Sequence, residues 1–140
     1  MKRTLALSLI LAALVSPLQA AEWNSSTSGN QTIAENVTVT GTANVANITF
    51  TGDSVVSGSG SIGGSGNITV NSGTVVFDGV SRPNSTGNIT IASGATLEIK
   101  GGAKLLTNGW HNASSVVTVN GTLKVDSLQY GGSLEICTIM

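Results

Sequence analysis

Charge, aromatic rings and cysteine are all scarce in this chain. Of its 140 residues 9% are charged and 4% are aromatic, with one cysteine, one histidine and two prolines. Each shortage closes off a class of answer. Cys137 stands alone, so no intrachain disulfide can form and the fold must hold by packing. His111 is the only imidazole, which leaves a zinc site short of ligands. A Ser/His/Asp arrangement would have to use that same residue, with no nucleophile-elbow motif near it. Acidic and basic residues fall singly, not in the clusters that polysaccharide cleavage by acid–base chemistry needs. These shortages predict a protein that is not an enzyme and has no metal and no cofactor. Beyond residue 20 the basic residues make no patch, since only Lys100 and Lys104 lie near each other there, and nucleic acid is excluded as an expected partner.

The first 20 residues have the layout of a secretory signal peptide. Lys2 and Arg3 precede an apolar run over residues 5–15, Ser16 and Pro17 break it, and Leu18-Gln19-Ala20 offers a small residue for cleavage. The run is shorter than the roughly 20 apolar residues of a spanning helix. No later stretch suits one either, so no transmembrane helix is expected in the mature chain. Removing the leader leaves four basic and seven acidic residues, a net charge of −3. Residues 21–140 are expected to form one domain.

What is abundant there is Gly, Asn, Ser and Thr, which supply 62 of those 120 residues. Such a composition suits disorder unless apolar residues recur in register, and here they do. Residues 67–79 read NITVNSGTVVFDG, residues 88–101 read NITIASGATLEIKG, and residues 116–125 read VVTVNGTLKV. Asn67 to Asn88 is a step of 21, and Val70 to Ile91 keeps it. A fixed period near 20 is the mark of stacked repeats, each leaning on its neighbours to bury an apolar face. No 3.6-residue apolar stripe occurs beyond the leader.

The expected fold is therefore all-β: a single-stranded parallel β-solenoid (β-helix) of about five to six rungs. A β-sandwich of hairpins is the rival reading. Alternation places Ile68 and Val70, Val75 and Phe77, Ile89 and Ile91, Leu97 and Ile99, Val117 and Val119, and Leu123 and Val125 inside. Thr69, Thr90 and Thr118 then form an outer ladder. Asn71, Gly73, Gly94, Asn120 and Gly121 are assigned to corners with positive φ. The glycine-serine run over 57–66 reads as a turn within a rung, because the I-T-V phrase keeps its step across it. Residues 21–35, with Trp23, lead into or cap the first rung. The phrase GGSLEI at 131–136 echoes GATLEI at 94–99, and the chain stops soon after. We read it as a shortened or fragmentary chain.

A leader followed by phrases such as SGATLEIKGG resembles the β-helical passenger regions of bacterial autotransporters and the related autotransporter-associated β-strand repeats. The resemblance covers about residues 36–136. It implies a right-handed solenoid, a stalk or adhesin segment without catalysis, and export to the periplasm, cell surface or extracellular space of a bacterium. The expected partners are glycans or other surface proteins, with edge-to-edge self-association through open strand edges.

Several motifs carry less. Gly63-Gly64-Ser65-Gly66 begins like a calcium-binding roll, but Ile68 stands where its aspartate belongs. Asp53, Asp78 and Asp126 read as turn residues. The pattern N-x-S/T occurs at nine asparagines (Asn24, Asn30, Asn36, Asn47, Asn67, Asn84, Asn88, Asn112 and Asn120), which we read as corners. The last four residues match a prenylation signal by chance, since an exported chain does not meet the cytosolic transferase. Thr38, Thr40, Thr49 and Thr51 form two T-x-T pairs that suggest a water- or ice-binding face, and a water-, ice- or glycan-binding β-solenoid module is the alternative function. The loop over 102–115 holds Trp110 and His111, the candidate ligand contacts. The rival role for Trp110 is to fold over Leu105 and Leu106.

Overall fold

The computed structural model describes residues 20–82, 87–105 and 116–126. Within them lie twelve strands and no helix. In chain order these are β1 (Ala21–Trp23), β2 (Ser28–Ile33), β3 (Val37–Val39), β4 (Thr42–Phe50), β5 (Ser54–Gly58) and β6 (Ser61–Gly63). They continue as β7 (Ile68–Val70), β8 (Thr74–Asp78), β9 (Ile89–Ile91), β10 (Thr96–Lys100), β11 (Val117–Val119) and β12 (Thr122–Val125).

Every pairing among them is parallel. A first sheet has the order β1-β3-β5-β8-β10-β12, and a second has β11-β9-β7-β4-β2, with β6 also on β4. The chain therefore visits the two sheets alternately, and hairpins are absent from the described residues. Short strands rich in Val, Ile and Thr suit this arrangement, because β-branched side chains pack well on a pleated, half-buried surface.

The register makes columns of the predicted pairs. Ile48, Ile68, Ile89 and Val117 stand in line, and so do Phe50, Val70, Ile91 and Val119. On the first sheet Val56, Phe77, Ile99 and Val125 align, beside Val75, Leu97 and Leu123. The two sheets meet in an apolar core, where the rings of Phe50 and Phe77 pack edge to face with centroids 5.9 Å apart. Trp23 is buried in the first pass, and residues 21–35 contribute the strands β1 and β2. At the other end Val117, Val119 and Leu123 are half-buried and Val125 is exposed. These strands have a described neighbour on one side only.

The step between aligned residues is not constant. On the second sheet it is 17 from Thr32 to Thr49, 20 to Thr69, 21 to Thr90 and 28 to Thr118. Each pass is longer than the one before. The 57–66 run does keep the step, as expected, although Ser61–Gly63 within it pairs as a strand. Gly73 and Gly94 have φ of 77° and 78°, the left-handed corner their lack of a Cβ permits. Gly121 differs: it is outside the positive-φ glycines, and its role is close approach, since a Cβ there would strike the carbonyl oxygens of Ala92 and Ala95.

Candidate interaction face

The Asn-x-Thr phrase is the building unit of the second sheet, and each residue in it has a separate task. The middle residue is an isoleucine buried in the core at 48, 68 and 89, and Gln31 takes that register position in the first pass. The asparagine turns the corner and ties one pass to the next. The backbone N–H of Asn47 donates to the Asn30 side-chain oxygen at 3.2 Å, and the Asn47 amide donates to the same oxygen at 2.9 Å. Asn67 N–H donates to Asn47 Oδ1, Asn88 N–H to Asn67 Oδ1 and Val116 N–H to Asn88 Oδ1, each at 2.8 Å. Four asparagines thus form one continuous ladder along the corner. The threonine points outward, and Thr32, Thr49, Thr69, Thr90 and Thr118 stand in register across five passes.

Charge is sorted between the sheets. The strands of the second sheet contain no charged residue. Those of the first carry Glu22, Asp78, Glu98, Lys100 and Lys124. A few other threonine hydroxyls are engaged. Thr40 donates to Glu22 Oε1 at 2.9 Å, Thr51 to the Ile33 carbonyl at 3.3 Å, and Thr42 lies 3.4 Å from the Ser61 hydroxyl. Among the described residues, none of the five in-register threonine hydroxyls has a partner.

The T-x-T pairs do not share one face. Thr38 and Thr40 belong to the first sheet, where Thr38 aligns with Glu22 and Ser57, while Thr49 belongs to the second. Register between passes, not spacing along one strand, assembles the row, and it brings in Thr32, which the T-x-T spacing does not pick out. Trp110 and His111 lie outside the described residues, as do Leu106 and Cys137. Leu105, at the start of that loop, is buried and bridges Arg82.

Two aspartates act on backbone and a third on a side chain. Asp53 Oδ1 accepts the Thr74 N–H at 2.8 Å, Asp126 Oδ2 accepts the Gly101 N–H at 3.0 Å, and Asp78 pairs with Lys100 at 3.7 Å. No group of three metal-ligating side chains occurs among the described residues. Arg82 is the exception to exposed charge. Ser81 bridges Ser61, which puts Arg82 in line with Ile62 and Ala43 on the inner side, and it is completely buried. Its Nη2 donates to the carbonyls of Val45 and Ala46 at 3.1 and 2.5 Å, while Nε and Nη1 have no partner among the described residues. Burial lowers its pKa to about 10. β6 and β7 leave a gap opposite Val45 and Ala46, and the guanidinium serves the carbonyls there.

Comparisons with protein-family models, with curated proteins and with solved structures find no match.

Proposed function

We propose that the strands are rungs of one right-handed, single-stranded parallel β-solenoid, and that the protein is an exported, non-enzymatic structural or adhesin-like segment of autotransporter-passenger type. The observation that carries this reading is the Asn–Ile–Thr column, repeated in register while the chain alternates between two parallel sheets. In such an assembly stability comes from stacking and the surface is left free to meet partners. Glycans and neighbouring surface proteins are the partners of this type of face. Among the described residues the end strands, β1 and β2 at one end and β11 and β12 at the other, are the edges where another chain could pair.

The test is localisation of the full chain carrying an epitope tag in a bacterial host. Tag recovered from the periplasm, from the medium, or accessible to protease on intact cells supports the reading. Retention of the unprocessed chain in the cytoplasm sinks it. Sequencing beyond codon 140 checks the passenger assignment, since further repeats or a translocating barrel should follow. For the solenoid itself, spin labels at Thr49, Thr69 and Thr90 should lie about 4.8 Å apart per rung along the backbone, allowing for linker length. Separations that do not rise steadily from one rung to the next would refute the stack.

A further inference from the structure

We infer that the threonine row of the second sheet is an ice-binding face, adsorbing to an ordered and uncharged water lattice. The inference rests on the solenoid reading above and deepens it by naming what one face takes.

Four observations lead there. First, the row is long and regular: five threonines in register, one per pass, at the strand spacing of about 4.8 Å. Second, it is rigid. Threonine is stiff at χ1, and the neighbouring asparagine ladder ties every pass to the next by side-chain bonds. Third, its hydroxyls have no described partner inside the protein, a property it shares with the shorter Thr74–Thr96–Thr122 column of the first sheet, which charged residues flank. Fourth, the strands of this sheet carry no charge, while the other sheet carries five charged residues.

Together these features select a class of partner. A row of short side chains makes a flat surface that encloses nothing, so a small soluble ligand would keep most of its hydration. A charged polymer would find no counter-charge on it. A flat, neutral and repetitive partner fits, and two solids have that character: ice and a crystalline neutral polysaccharide. Sugar rings are gripped by aromatic faces, and the strands of this sheet hold only Phe50, which is buried. Water needs only spaced hydroxyls and methyls, which threonine supplies together.

Ice-affinity partitioning of the purified mature chain decides the matter, with far-UV circular dichroism and a thermal melt alongside. Wild-type protein should enrich in slowly grown ice. Thr69→Lys should lose that enrichment, because a long charged side chain lifts the face off the lattice. Thr96→Lys, in the aligned Thr74–Thr96–Thr122 column of the first sheet, should retain it. If Thr69→Lys lowers the melt, Thr118→Lys at the exposed end of the row replaces it. Folded wild-type protein excluded from ice would overturn the inference. So would equal loss in the two lysine variants at unchanged melting, or retention on microcrystalline cellulose or chitin without retention in ice. A spectrum without β-structure instead removes the solenoid reading, and the inference falls with it.

Discussion

Asn88 hangs from Asn67: its backbone N–H donates to the Asn67 side-chain oxygen at 2.8 Å across 21 residues of sequence. The same bond recurs above and below, so the corner of the second sheet is held by side chains as well as by the strand ladder. The relay has a direction, each asparagine accepting from the pass that follows. It ends at Val116, whose N–H donates to Asn88 Oδ1 and whose side chain has no acceptor to offer onward.

Replacing Asn67 by leucine should therefore destabilise the fold by about 1 kcal/mol, the ordinary net value of one hydrogen bond. Asn67→Asp keeps the accepting oxygen and should lose less. Urea denaturation of the three proteins makes the comparison, with midpoints shifting at constant m. Equal losses for Leu and Asp would mean that the accepting oxygen contributes nothing.

The ladder also shows what could be read from residues alone. The Asn–Ile–Thr phrase at 67–69 and 88–90 repeats at 21, and the structure aligns those residues with each other. The interior pairs were legible for the same reason, since alternation within a strand needs no knowledge of its neighbours. Register across unequal passes was not. The step from Thr90 to Thr118 is 28 and that from Thr32 to Thr49 is 17, so one fixed period misses both ends of the row. T-x-T spacing misled because the turn after Thr40 sends Thr49 to the other sheet. Arg82 was invisible. In Ser81-Arg82-Pro83-Asn84 it looks like an exposed turn residue, and only the bridges of Ser81 to Ser61 and Arg82 to Leu105 place it inside.

Phe77 is the residue whose loss should cost most. It is fully buried, meets Phe50 edge to face at 84°, and joins the two sheets. Phe77→Ala should cost about 3–5 kcal/mol, a large part of the roughly 5–15 kcal/mol that holds a domain together. Phe77→Leu keeps most of the volume and should cost about half as much or less. Calorimetric melting distinguishes them. Similar melting temperatures for the two variants would show that packing at this site is loose.

The ion pair between Lys100 and Asp78 should matter little by comparison. The groups are 3.7 Å apart with side chains 42% and 45% exposed, so water screens them. Lys100→Ala should change stability by less than about 1 kcal/mol. In 1 M salt, where the screening length is about 3 Å, the difference should vanish. A larger loss, or one unaffected by salt, would assign Lys100 a packing role along its aliphatic stem.

Arg82 combines a benefit and a cost that pH can separate. Its Nη2 serves two carbonyls, so Arg82→Met leaves Val45 and Ala46 without that donor and should destabilise by about 1–3 kcal/mol near neutral pH. The cost is desolvation of a charge, which brings the guanidinium from its ordinary value down to about 10 in the folded protein. Below pH 10 it is protonated in both the folded and unfolded chains, and the difference between wild type and Arg82→Met should be flat from pH 6 to 9. Above about pH 10 the unfolded chain binds more protons than the folded one, so wild-type stability should rise with pH relative to the variant. Groups common to both proteins cancel in that difference. Chemical denaturation at stepped pH measures it. A difference that stays flat through pH 12 would mean that Arg82 keeps its full charge in the core, and one that falls would reverse the sign of the burial effect.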